Sequence, residues 1–260
     1  MAEGFGSKAR IGQLYPSGGL VDYEPQLMAP EGVQFLTTRM TFRKTGLADD
    51  EAMIGDLEFH AGLLADAQVD LIAFNCTAAS LVAGPGAINA RIRAATGLPS
   101  VTTIEAVIAA LDAAGLSRLA LMTPYPPEVV AAETAFFTQR GFSVVAEASQ
   151  PCDDPVAQGT IPPQAWRELA QGLTASPADG LLISCAGIRL APVLAAIEAD
   201  FGRPVIASNP ALLWHCLRQL AVQERPKGFG QLLEGRFDHP EAAPYAIAAP
   251  SKVVAPGSRL

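Results

Sequence analysis

Short apolar runs alternate with longer amphipathic stretches along the whole chain, the pattern of a parallel sheet covered by helices. In the first half the strand-like runs are Ile11–Tyr15, Val33–Thr37, Asp70–Asn75 and Pro99–Val101. The second half repeats the set at Arg118–Met122, Phe142–Glu147, Gly180–Ser184 and Pro204–Ala207. Helices are expected between them. Residues Asp49–Ala67 place Met53, Leu57, Leu63 and Leu64 mostly on one side. Thr102-Thr103-Ile104-Glu105 is a capping-box start, with Ile104, Val107, Ile108 and Leu111 facing inward and Gly115 as the stop. Later helices are expected at Pro126/Pro127, at Pro162/Pro163, near Leu190 and at Pro210, with proline repeatedly near the first turn.

The two halves resemble each other. Arg10-Ile-Gly-Gln-Leu-Tyr-Pro16 matches Arg118-Leu-Ala-Leu-Met-Thr-Pro124 at an offset of 108. Asp70-Leu-Ile-Ala-Phe-Asn-Cys76 matches Asp179-Gly-Leu-Leu-Ile-Ser-Cys185 at 109, and Gly97-Leu-Pro-Ser-Val101 matches Gly202-Arg-Pro-Val-Ile206 at 105. Three equivalences in order imply duplication of a four-stranded unit. The expected fold is α/β: two similar four-stranded parallel-sheet domains related by a pseudo-twofold axis, with the active site in the cleft between them. The first domain is drawn over residues 1–114 plus 220–260, the second over 115–219. The proline-rich tail is expected to return over the first half or onto a neighbouring subunit.

Composition narrows the function. A net charge of −8 supplies no basic footprint for nucleic acid or an anionic membrane. The opening ten residues lack a secretory core. The uncharged run Leu71–Ala90 is broken by Asn75, Gly84, Pro85 and Gly86, and reads as strand, loop and helix start instead of a membrane span. Four well-separated cysteines suit free thiols in a reducing cytoplasm. The three scattered histidines, His60, His215 and His239, offer no metal spacing. Composition and spacing thus point to no metal, no nucleic acid and no membrane as partner; a homo-oligomer is compatible with the chain.

In open parallel sheets ligands bind beyond the carboxyl ends of the strands. Cys76 and Cys185 occupy that point in the two halves, each before a small-residue turn. A pseudo-twofold axis would set the thiols facing each other across one carbon, as needed for proton transfer or for attack on a double bond with proton delivery from the other side. Cys152, in a Pro/Asp-rich loop, and Cys216, on an amphipathic helix with Trp214, read as ordinary packing residues. Tyr125 projects from a strand–helix turn and could donate to a developing oxyanion. Ser17, Gly18 and Gly19 could offer free amides to an anion. Thr77 could donate a hydroxyl or cap the next helix, and the amides of Ala186 and Gly187 complete the set. Arg39, closing the second strand, could attract a carboxylate. Glu105 and Asp112 read as a cap and a helix-face charge.

Asn75-Cys76-Thr77, Ser184-Cys185-Ala186-Gly187 and the intervening Thr123-Pro124-Tyr125 resemble the aspartate/glutamate racemase superfamily. The nearest branch is the maleate isomerase and arylmalonate decarboxylase group, and the likeness runs over residues 8–235. The resemblance implies two catalytic cysteines for the isomerases, and both positions are filled. The asparagine of the isomerases' Pro-Ser-Ser-Asn turn is replaced by Gly19. The decarboxylases keep only the second cysteine, as proton donor, with glycine where this chain has Cys76. Yet Gly19-Leu20-Val21, Ser208–Trp214 and Gly228–Leu233 are closer to them. The Cys-Asn-Thr and Cys-Thr-His of amino-acid racemases are absent. The resemblance thus implies a cofactor-independent isomerase of a small carboxylic or dicarboxylic acid, with Cys76 as nucleophile and Cys185 as acid/base partner. Decarboxylation through Cys185 is the alternative, followed by racemisation and by a cytosolic small-acid binding protein without turnover.

Overall fold

The computed structural model describes residues 6–238. Its first half holds β1 (Ala9–Pro16), α1 (Glu24–Met28), β2 (Val33–Met40), α2 (Leu47–Ala52), α3 (Leu57–Asp66), β3 (Leu71–Phe74), α4 (Thr77–Ala83), α5 (Pro85–Thr96), β4 (Ser100–Thr102) and α6 (Thr103–Ala113). The second holds β5 (Arg118–Thr123), α7 (Pro127–Thr138), β6 (Ser143–Ser149), α8 (Pro155–Thr160), α9 (Pro163–Gln171), β7 (Gly180–Ile183), α10 (Leu194–Phe201), β8 (Val205–Ala207) and α11 (Ser208–Gln219). All eight expected strands are present.

The strand orders are β2-β1-β3-β4 and β6-β5-β7-β8, every pair parallel. The duplication extends to single hydrogen bonds. Asp70 Oδ2 accepts from the Arg10 amide at 2.8 Å, and Asp179 Oδ2 accepts from the Arg118 amide at 2.8 Å. Each carboxylate fixes where the third strand enters beside the first. The crevice between first and third strands, where the chain's direction of winding reverses, is thereby set identically in both sheets.

Among the contacts that join the halves are a helix pair and a buried polar seam. The helices α6 and α11 pack against one another. Thr102 caps α6 through the Glu105 amide, while the Glu105 carboxylate accepts from the Thr102 amide, forming the expected capping box. The resulting helix buries Ile104, Val107, Ala110 and Leu111, and α11 presents Ala211, Leu212, Leu213 and Leu217. One apolar core therefore runs through both sheets, with a second cluster between the first sheet and α3 and α5.

The polar seam centres on Glu24. Glu24 Oε1 accepts from the Leu190 and Ala191 amides at 2.6 and 2.8 Å, and its Oε2 accepts from Asn209 at 2.7 Å. Asn209 in turn donates to the Ala186 carbonyl and accepts from Asn75, which also donates to Gln13. The residues beside both cysteines are thus tied to one network crossing the cleft. Replacing Glu24 with Leu would leave three buried donors without acceptors. Glu24→Leu is expected to cost about 3 kcal/mol, measured as a lowered urea midpoint, with Glu24→Gln costing less.

Several local expectations change. The stretch Asp49–Ala67 is two helices, α2 and α3, separated by a turn; Met53, Leu57 and Leu64 are buried but Leu63 is exposed. The loop expected after Cys76 is α4. The expected start near Leu190 is a turn, with α10 beginning at Leu194. The tail beyond α11 sends its Gln231 amide to Glu198, Asp238 to Trp214 and Arg225, and Glu224 to Lys8 in the first half. Residues 239–260, including His239 and the rest of the expected returning segment, lie outside the described residues. No helix among the described residues is long and apolar enough to cross a membrane.

Candidate active site

Cys76 follows β3 and Cys185 follows β7, and both thiols line one cavity between the halves. Gly19, Thr77, Tyr125, Ala186 and Gly187 line it too, as do Tyr15, Asp50 and Gln158, which the sequence reading did not single out.

Cys185 is held as a thiol. Its sulfur donates to Gln158 Oε1 at 3.2 Å and accepts from the Gly187 amide at 3.1 Å. Burial pushes its pKa up to about 12, against the opposing pull of the Gly187 amide and the Tyr125 hydroxyl. The thiol is therefore protonated in neutral solution, the state a proton donor needs. A Cβ on Gly187 would stand 2.5 Å from Gln158 Oε1 and would push that side chain away from Cys185. Burial also drives the Cys76 pKa well up, with the Asp50 charge adding to it and the amides of Ala79 and Ala78, in the first turn of α4, acting in the opposite direction. These amides are the local groups that favour a Cys76 thiolate.

Thr77 spans the cleft, sharing a 2.9 Å hydrogen bond with Ser208 Oγ, which also accepts from the Cys185 amide at 3.1 Å. Thr77 lies inside α4 and caps nothing, so its hydroxyl couples the two cysteine turns. Tyr125 is buried beside Cys185, and burial holds its phenol well above its ordinary pKa, so it stays a donor. Tyr15, one residue before the end of β1, donates to the Ala186 carbonyl and accepts from the Val21 amide, both at 3.2 Å. It was missed because its partner lies 171 residues away.

The Ser17–Gly19 turn differs from expectation. The Ser17, Gly18 and Gly19 amides donate to the carbonyls of Met40, Phe42 and Pro16, so none remains for an anion. The Ser17 hydroxyl donates to the Phe42 carbonyl and accepts from the Phe42 amide. Ser17 and Gly18 thus shape the turn, and only Gly19 reaches the cavity wall. A Cβ on Gly19 would stand 2.5 Å from the Tyr15 ring, which accounts for the glycine. Arg39 is a correction of the same kind. Its guanidinium donates to the Ser17 and Gly19 carbonyls and pairs with Asp22 at 2.8 Å, so it braces the turn instead of receiving a substrate carboxylate. Cys152 and Cys216 lie away from the cavity, and all four cysteines are free.

Gln158 and Asp50 reach the site on short helices that carry no motif. Gln158 Nε2 donates to the Cys152 carbonyl at 3.0 Å, aiming its Oε1 at Cys185. Asp50 had one legible signal: it precedes buried Met53 and Leu57 at helical spacing, a carboxylate on an apolar face.

Two parallel α/β halves, each with a cysteine beyond its third strand and both thiols on one cavity, define the aspartate/glutamate racemase-like class. Within it, the chain belongs to the arylmalonate decarboxylase family, whose profile matches residues 11–233. It is 25% identical to the maleate isomerase of Pseudomonas putida over 245 residues, spanning 88% of this chain and 98% of that protein. It is 27% identical to the arylmalonate decarboxylase of Bordetella bronchiseptica over 236 residues, again 88% and 98%. Among solved structures, a Nocardia farcinica maleate cis-trans isomerase variant with cysteine replaced by serine carries a covalently bound succinylcysteine intermediate. It superposes with a TM-score of 0.80 at 26% identity, covering 87% of this chain and 98% of that one.

Proposed function

We propose that this chain is a cysteine-dependent isomerase of a small unsaturated carboxylic acid, working in the manner of the maleate isomerases. The observation that carries the reading is the pair of thiols at equivalent strand ends, Cys76 and Cys185, lining one buried cavity. Cys76 enters as thiolate, its proton released to solvent. Its sulfur bonds to one alkene carbon, and the carbon–carbon π electrons move toward the carboxylate as an enediolate. Cys185 Sγ–H delivers its proton to the adjacent carbon. Rotation about the new single bond, return of the proton to Cys185 and expulsion of Cys76 complete the cycle with nothing consumed. Tyr125 and the Ala186 and Gly187 turn stand beside the developing charge. A reducing cytoplasm suits this chemistry, because both thiols must stay unpaired.

Decarboxylation of a substituted malonate is the second reading, favoured by the hydrogen-bonded, protonated Cys185, which alone would protonate the enediolate left by carbon dioxide. Proton NMR in deuterated water with maleate, its half-amide and aryl- and alkylmalonates tests both. Conversion of a cis to a trans alkene is the expected result. Carbon dioxide loss from a malonate would replace the isomerase reading with the decarboxylase one, and unchanged bound ligands would leave a binding protein.

A further inference from the structure

One side chain of the cavity has no place in this chemistry. Asp50 is fully buried, and neither of its carboxyl oxygens has a hydrogen-bond partner among the described residues. Burial pushes its pKa up to about 7 against the opposing pull of the Gly46 amide, so it is ionised on the alkaline side of neutrality. Three polar side chains of the cavity are already engaged: Tyr15 with Val21 and Ala186, Thr77 with Ser208, and Gln158 with Cys152 and Cys185. Among the described residues no lysine, arginine or histidine lines the cavity, and Arg39 is committed to the Ser17–Gly19 turn. A buried carboxylate without a donor is unfavourable unless a ligand supplies one.

We propose that Asp50 determines specificity by accepting a hydrogen bond from an N–H or O–H on the substrate, opposite the carboxylate held near the cysteine turns. The substrate class is then a monocarboxylic acid carrying an amide, amine or hydroxyl, such as a cis half-amide, in preference to a dicarboxylate. The chemistry is complementary at both ends. Amides and a phenol stand by the thiols, and Asp50 lines the same cavity as an acceptor. A second substrate carboxylate would meet Asp50 with no cation between the two charges.

This inference rests on the isomerase reading for its choice of alkene, but it is tested by binding as well as by turnover. The probes are the saturated analogues succinamate and succinate, measured by calorimetry at pH 8 on wild type and Asp50→Asn. Wild type is expected to bind succinamate about 100-fold more tightly than succinate, and Asp50→Asn to narrow that ratio to within about tenfold. Equal affinities in wild type, binding of neither probe, or a ratio unchanged by Asp50→Asn would overturn the proposal. Turnover adds an independent arm with maleamate and maleate. Wild type should favour maleamate chiefly through KM, and Asp50→Asn should lower KM for maleate. An equal loss of kcat on both substrates would instead assign Asp50 as a base for Cys76. Failure of wild type to isomerise either alkene would sink the isomerase reading while leaving the binding ratio to judge Asp50.

Discussion

Cys76→Ser is expected to lower alkene isomerisation by about 10³-fold or more, while decarboxylation of any malonate that the chain accepts falls far less. The asymmetry follows from the two roles. Isomerisation needs a sulfur that bonds to carbon and leaves again, and a serine hydroxyl beside the α4 amides is too weakly acidic to do so. Decarboxylation needs only a proton delivered to an enediolate, which Cys185 already holds toward Gln158. Cys185→Ser is therefore expected to impair both reactions. In the isomerase it should also leave substrate trapped on Cys76 once solvent water supplies the proton to the adjacent carbon, read by mass spectrometry as an adduct equal in mass to the acid. Serine is close to cysteine in size, so circular dichroism should show both variants folded. Full turnover in both variants would remove both mechanisms.

The fold was legible because its central strands are buried on both faces. Runs such as Leu119–Met122 and Leu181–Ile183 have no exposed side to conceal them, and Asp70 and Asp179 mark equivalent strand entries. The cysteines were legible for the same reason, since each terminates such a run. What sequence did not disclose depends on partners supplied from far along the chain. Tyr15 reads as one more strand residue until Ala186 stands opposite it. Gln158 sits in a six-residue helix with no periodicity to betray it. The Ser17–Gly19 amides and Arg39 failed as anion ligands because nearby carbonyls take their donors, and carbonyl positions leave no trace in side-chain chemistry. Asp50 was visible only as a misplaced charge on an apolar face. That kind of local conflict is expected where function overrides packing.

A second conflict of this sort sets the pH dependence of stability. Glu133, on α7, is buried against Ser184, the residue before Cys185. One of its carboxylate oxygens accepts from the Ser184 hydroxyl and the other has no partner among the described residues. Burial pushes its pKa up to about 8 from an ordinary 4.5, with the Ser184 hydrogen bond only partly opposing this. A carboxyl whose folded pKa is raised binds its proton more tightly in the folded chain. Its contribution is therefore complete below the unfolded pKa and is lost as pH climbs to the folded one. At about 1.4 kcal/mol per unit, the loss across this window is on the order of 5 kcal/mol. His215 acts in the opposite sense, since burial lowers its pKa to about 4 and its contribution grows with pH up to about 6.5. The two effects overlap below 6.5, leaving roughly 2 kcal/mol of the Glu133 loss above it, together with part of the loss from Asp50. Urea denaturation of wild type and Glu133→Gln at pH 5 and pH 8.5 separates these contributions. Wild type is expected to lose more stability than Glu133→Gln between the two pH values, by several kcal/mol, because Gln cannot ionise. Parallel stability profiles for the two proteins would mean that Glu133 is no more protonated when folded than when unfolded. The interior behind Cys185 would then hold a carboxylate charge, and that charge would raise the Cys185 pKa further, so the thiol proton would be held by charge as well as by burial.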